Sequence, residues 1–287
     1  MMKLALKYRF ENCLMASFSL AAGLVLAPAA LAAEMEMLRA ELGEVTAEFL
    51  AEAGEYCIKN PQIKIERQGR AILDRPLSDH IYDEGMACQV LELVTQDLDG
   101  DREPEVILDF YSGGAHCCNT TVIYSYNPDR NRYRVINHYW GNGGYTLEDL
   151  NGDGIPEFTS RDDSFAYAFA DYAASRYPLQ IWRYQQNKLH DITRDFPDRV
   201  YNHALQLWQE YSTLRDKRAG GLSPEEIRAR PQVEQAVLAA YLADKYLLGQ
   251  EEDGWRRLWQ VYWWRDRHDF FRSLDSFLRR TGYIPEF

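Results

Sequence analysis

Asp97-Leu98-Asp99-Gly100-Asp101-Arg102-Glu103-Pro104-Glu105-Val106 returns 52 residues later as Asp149-Leu150-Asn151-Gly152-Asp153-Gly154-Ile155-Pro156-Glu157-Phe158. Both copies read Asp-Leu-(Asp/Asn)-Gly-Asp-x-x-Pro-Glu followed by an apolar residue. Oxygen-bearing side chains at alternate positions of a tight, glycine-containing bend suit a hard cation such as Ca²⁺. Such an ion gathers about six to eight oxygens at about 2.3–2.6 Å. The first, third and fifth positions would ligate by side chain: Asp97, Asp99 and Asp101, then Asp149, Asn151 and Asp153. The seventh, Glu103 or Ile155, would offer its carbonyl, and the ninth, Glu105 or Glu157, would close the site directly or through water. The reading is therefore two Ca²⁺ sites, each leading into a β-strand. An EF-hand is excluded, because position twelve is Leu108 or Ser160 rather than Glu, and Val106-Ile107-Leu108 is a strand-like run. An acidic turn without metal is the plainer alternative. Retention of five oxygen positions and the Pro-Glu pair in both copies favours the ion.

The copies differ at position six. Gly154 takes a sharp turn without steric cost, whereas Arg102 must take it with a Cβ and brings a positive charge beside the site. Against that, the first copy has four acids (Asp97, Asp99, Asp101, Glu105) and the second three plus an amide. The expected affinity is that of extracellular Ca²⁺ modules, about 10⁻⁴–10⁻³ M.

The stretch resembles the FG-GAP/VCBS-type repeats of integrin-like propellers and bacterial surface proteins. Val122-Ile123-Tyr124-Ser125-Tyr126 and Leu179-Gln180-Ile181-Trp182-Arg183-Tyr184 extend the likeness as matching aromatic strands. Each precedes a polar turn (Asn127–Asn131, or Gln185–Asn187) and another strand, so the likeness covers about residues 90–195. The resemblance implies a β-sheet blade carrying a Ca²⁺ loop, used for binding more often than for catalysis. Phe-Gly and Gly-Ala-Pro signatures are absent, and two repeats cannot close a propeller of about four to eight blades. A small sandwich or partial propeller is expected.

Lys3, Lys7 and Arg9 precede the apolar stretch Leu14–Leu31, which Pro28 interrupts just before Ala30-Leu31-Ala32. That is a secretory leader with an A-x-A cleavage site at residues 1–32, placing the mature chain in the periplasm or outside the cell. An uncleaved anchor helix is the alternative. The leader would remove three basic residues and one acid, taking the formal net charge from −12 to −14. So acidic a surface disfavours nucleic acid as a partner. Cys57, Cys88, Cys117 and Cys118 remain, an even set that reads as two disulfides in an exported chain. Adjacent cysteines seldom bond each other, so Cys117 and Cys118 are expected to reach back to Cys57 and Cys88. The sharper alternative is a soft-metal or redox site at His116-Cys117-Cys118.

The fold class expected is α+β, a β-rich repeat module followed by a helical C-terminal domain. Within the N-terminal segment 33–60, Leu38, Leu42, Val45, Phe49 and Leu50 at helical spacing predict an amphipathic helix. Residues 61–197 form the β-rich module, with strands at Ile63–Ile65, Ala71–Leu73, Gln89–Val94 and Tyr133–Tyr139. Tyr167, Phe169 and Tyr172 in the long second connection are either a ligand surface or a cover for the sheet edge, with the cover favoured. Residues 198–287 turn helical, with Val200, Ala204, Leu207, Trp208, Tyr211 and Leu214 on one face. Ser223-Pro224-Glu225-Glu226 is a capping box, and Pro231 is expected to restart a helix. Trp255, Trp259, Tyr262, Trp263, Phe270, Leu274 and Phe277 mark the last pair, beside seven arginines. These rings are expected to be bundle core. Membrane contact through the Arg/Trp helices is the less favoured reading.

No G-x-S-x-G, H-E-x-x-H or phosphate-binding glycine loop occurs, and the six histidines lack ligand spacing. The sequence therefore points to an exported, non-catalytic Ca²⁺-binding repeat protein that binds a protein or glycan. The alternative from another class is an envelope-polysaccharide enzyme using inter-domain carboxylates such as Asp162 or Asp163.

Overall fold

The computed structural model describes residues 34–77, 88–115, 117–216 and 223–285. The leader, His116 and the side chains of Cys117 and Glu226 lie outside the described part. What is described is an α+β fold with three four-stranded antiparallel sheets followed by four helices.

The first sheet runs in chain order through β1 (Met35–Leu42), β2 (Val45–Glu52), β3 (Lys59–Arg67) and β4 (Arg70–Pro76). Its first two strands replace the expected N-terminal helix. Leu38, Leu42, Val45 and Phe49 fit a helical stripe, but Val45, Ala47, Phe49 and Ala51 also alternate, and all four are buried. The alternation prevails because Gly43, at φ +60°, lets Leu42 pair with Val45 across a two-residue turn. Strand β3 then covers the other side of β2.

The second sheet is β5 (Gln89–Gln96), β6 (Glu105–Gly114), β7 (Cys117–Asn127) and β8 (Arg132–Gly141). The third is β9 (Thr146–Glu148), β10 (Glu157–Arg161), β11 (Leu179–Gln185) and β12 (Lys188–Asp191). Each copy of the repeat is thus one sheet. The acidic loop joins its first two strands, an aromatic strand comes third, and a polar turn leads to the fourth. Asn131 at φ 46°, and Gln186 and Asn187 at φ 53° and 61°, make those turns.

The chain forms two compact units. One holds β1–β8 as far as His138, and the other holds Tyr139 onward together with Leu98–Gly100 and His116–Asn119. This differs from a division at residues 197/198, because the third sheet groups with the helices. In the first unit, Val45, Phe49, Ile63 and Ile65 of one sheet and Leu93, Val106, Leu108 and Tyr124 of the other share one core. Phe49 meets Phe110 edge-on at 5.9 Å between ring centres.

The second unit carries α1 (Pro197–Asp216), α2 (Pro224–Leu247), α3 (Glu251–Val261) and α4 (Arg267–Arg280). In α1, Val200, Ala204, Leu207 and Tyr211 face inward at the predicted spacing. Helix α2 runs straight through Pro231 instead of restarting there. A proline inside a helix costs about 3 kcal/mol. Burial on every face offsets it, since all residues from Ala236 to Lys245 are inaccessible or nearly so. Phe165 and Phe169 pack on Phe277 at 4.8 and 5.1 Å. Phe169 therefore belongs to the helical core, while Tyr167 pairs with Tyr172 near the surface, and the three do not form one ligand face. In the last helices Tyr262, Phe270, Leu274 and Phe277 are core as expected, whereas Trp259, Trp263 and Trp264 stand at the surface.

Candidate functional site

In the first loop the antiparallel pairing of β5 and β6 ends at Gln96 opposite Glu105, so residues 97–104 reverse the chain. Leu98 and Pro104 are buried and fix the ends of the loop, and Glu105 is carried in at 1% exposure by the first position of β6. Ligand oxygens of Asp97, Asp99 and Glu105 all lie within 4.8 Å of one another. Two oxygens on opposite sides of a Ca²⁺ at about 2.4 Å would stand about 4.8 Å apart, so this donor set fits the ion. Positions one, three and nine are thus brought together. Position five is not among them: Asp101 accepts the Glu103 N–H at 2.7 Å and is exposed. The Glu103 side chain forms an ion pair with Arg67.

Arg102 takes φ 71°, and Gly154, its counterpart, takes φ 86°. The Arg102 amide donates to Asp97 Oδ2 at 2.9 Å, which holds that carboxylate in place. A left-handed non-glycine residue costs about 1–2 kcal/mol. Arg102→Gly keeps the amide and removes that cost, and the side chain it deletes is exposed. We expect it to raise the folding free energy by about 1 kcal/mol in chemical denaturation; an unchanged or lower midpoint would show the strain to be absent.

The second loop uses its acids differently. Asp149 accepts the N–H groups of Gly152, Asp153 and Gly154 at 2.7, 3.2 and 2.9 Å. Asn151 is hydrogen-bonded to Asp153, and Asp153 also accepts from Ile155 N at 2.8 Å. These bonds hold the Asp153 carboxyl below the usual carboxylate range, the Asn151 contact most of all. Glu157, wholly buried, accepts from Leu150 N at 2.8 Å and forms an ion pair with Arg183. The same guanidinium reaches Asp153 Oδ2 at 3.0 Å. A cation supplied by β11 thus sits among the carboxylates of this copy. The side chain of Ile155 stands against Gly100, where an added Cβ would come within 3.0 Å of its Cδ1.

Asp162 and Asp163 act locally. Asp162 caps Ser164 N at 3.0 Å and accepts from the Tyr283 hydroxyl at 2.9 Å. Asp163 accepts from Asn142 N at 3.3 Å, and its carboxyl is pushed up chiefly by burial. Cys57 bonds to Cys88, which corrects the expectation that each would pair with Cys117 or Cys118. Backbone bonds place the two segments side by side, Ile58 N to Cys88 O at 3.1 Å and Cys88 N to Tyr111 O at 2.9 Å. Cys118 is also disulfide-bonded, so its sulfur is not a free thiolate for a soft metal.

Two features gave no sequence signal. Arg183 lies 26 residues from Glu157. His203 Nδ1 bonds at 2.6 Å to Asp244 Oδ2, 41 residues away, and the histidine lines clefts of about 400 and 560 Å³. Asp244 is fully buried and also accepts the Leu179 N–H at 3.3 Å. Burial pushes its carboxyl up, and the His203 contact opposes that shift.

Residues 200–282 match the sll0997 C-terminal domain. They cover helices α1–α4, which places the matched family model on the helical part and away from the acidic loops. The chain is 32% identical over 178 residues to the probable thylakoid lumen protein sll0997 of Synechocystis sp., covering 62% of this chain and 49% of that protein. It is 30% identical over 220 residues to the uncharacterized protein y4bJ of Sinorhizobium fredii, covering 76% of this chain and 32% of that protein. The chain thus spans about half or less of the curated relatives it matches. No solved structure matches it. These matches overturn the resemblance to FG-GAP/VCBS-type repeats. That likeness rested on a short acidic bend between antiparallel strands, and Asp, Asn and Gly recur in such bends for reasons of turn geometry alone.

Proposed function

We propose that this chain is an exported, non-catalytic protein whose β-rich part is stabilised by Ca²⁺ at the first loop. The convergence of Asp97, Asp99 and Glu105 carries the reading. Three carboxylates whose oxygens come within 4.8 Å of one another offer the hard, anionic donor set that Ca²⁺ takes, and Glu105 is held there by burial. Asp101 and the Glu103 carbonyl are the next donors a bound ion would recruit. The second loop is proposed as the ion-free version of the same bend, with Arg183 as its resident cation. Ca²⁺ there would have to displace a guanidinium from a buried glutamate. Export is supported by the leader sequence, by the Cys57–Cys88 disulfide and by the lumenal assignment in the name of the Synechocystis relative. In this reading the ion shapes a small β-rich module that presents a surface to a protein or glycan.

The test is thermal unfolding with EDTA and with about 10 mM Ca²⁺. For a dissociation constant of about 10⁻⁴–10⁻³ M, binding contributes about 2 kcal/mol and raises Tm by about 4–8 °C. Asp97→Asn should abolish the rise, and Asp149→Asn should leave it intact. A melting curve indifferent to chelator ends the proposal, and equal loss in both variants would restore a two-site reading.

A further inference from the structure

Residues 253–281 carry seven arginines against four aspartates, in a chain whose formal net charge is −12. Where α3 ends and α4 begins, the apolar and basic groups meet at the surface. Trp263 is 75% exposed and Trp259 43% exposed, the former anchored by its ring N–H to Gln260 O at 2.9 Å. Arg267 lies over both rings, 4.8 Å from the centre of Trp259 and 5.4 Å from that of Trp263. Arg265 is exposed, and Arg272 is exposed with a loose contact of 3.7 Å to Asp269. Asp266 is turned inward, accepting hydrogen bonds from Gln235 and Tyr262. Behind the patch the floor is closely packed: Trp259 meets Phe271 at 4.8 Å between ring centres and Tyr262 is fully buried.

We infer that this α3–α4 corner docks the protein peripherally on an anionic lipid surface. Indole rings with a wet edge and an apolar body favour the headgroup level of a bilayer, and arginines beside them add attraction to negative headgroups. Charge complementarity selects that occupant. The acidic remainder of the chain is repelled by such a surface, so the molecule meets it with the arginine-rich corner first. Contact is peripheral in this proposal, and among the described residues no helix is long and apolar enough to cross a membrane. A second copy of the chain is disfavoured as occupant, because like-charged arginine corners would face each other.

The test uses the full chain with phosphatidylglycerol/phosphatidylcholine vesicles, and with phosphatidylcholine alone, both carrying brominated acyl chains that quench nearby indoles. Residues 1–32 contain no tryptophan, so quenching reports on the folded part. Quenching is expected on the anionic vesicles only, reversed by about 1 M salt, and reduced by Trp263→Phe. Arg265→Gln with Arg272→Gln should raise the anionic lipid needed for half-quenching about 30-fold. All three positions are solvent-exposed, and circular dichroism confirms that the variants fold. Absence of quenching, or equal lipid requirement for the native chain and the arginine variant, overturns the inference. So does burial of Trp263 without vesicles that grows with protein concentration, which would assign the corner to self-association.

Discussion

Replacing Arg183 by methionine is expected to lower the folding free energy by about 3 kcal/mol and Tm by about 6–12 °C. The arginine is 26% exposed at its side chain, while the Glu157 carboxylate it contacts is completely buried. Methionine keeps much of the aliphatic stem and removes the charge, so the loss reports a buried carboxylate without its cation. Removing one partner of a buried pair costs about 3–5 kcal/mol, and the half-open position of Arg183 puts this case at the lower end. Asp153 loses the same partner, but it is exposed and keeps its backbone donors, so it adds little. The control is Arg183→Met combined with Glu157→Gln. Glutamine removes the buried charge and can still accept from Leu150 N, so the double variant should recover more than half of the loss. If the double variant is as unstable as the single one, the damage lies in packing on β11 and the electrostatic account fails.

That experiment also separates the two loops, which the sequence reads as two sites for the same ion. The bends were legible because Asp, Asn, Gly and Pro at fixed offsets have local reasons to be there, and the positive φ at Gly100, Arg102, Gly152 and Gly154 follows the same local logic. Which acids converge was not legible. Asp97, Asp99 and Glu105 come together in one copy, while Arg183 enters the other from a strand whose approach no local pattern announces. Helices α1, α3 and α4 were readable from their apolar stripes. Strands β1 and β2 were not, since Leu38, Leu42, Val45 and Phe49 satisfy both periods, and the Gly43 turn together with pairing to β3 decides between them. Pro231 misled for a related reason: its local cost is real, but the burial of α2 is larger and belongs to tertiary structure. The grouping of the third sheet with the helices was equally out of reach. It depends on aromatic contacts such as Phe165 to Phe277, more than a hundred residues apart.

His203→Ala is expected to cost about 3 kcal/mol near neutral pH, because Asp244 would keep only the Leu179 amide in a fully buried site. Its pH dependence identifies the group responsible. Burial holds the Asp244 carboxyl above the ordinary range of about 4 even with the imidazole present, and removal of the imidazole takes away an opposing influence. A carboxyl raised on folding contributes stability that is fully present below its unfolded pKa and is lost as pH rises through the folded one. The comparison to make is therefore His203→Ala against His203→Ala with Asp244→Asn, since the two chains differ only at the carboxyl. The aspartate chain should be the less stable of the two at pH 8, and the gap should narrow as pH falls toward 5. A gap independent of pH would mean that Asp244 carries the same charge folded and unfolded across that range, so that burial does not raise its carboxyl in the variant. The cost of His203→Ala would then lie in lost packing and hydrogen bonding between α1 and α2 and not in a carboxyl raised by burial.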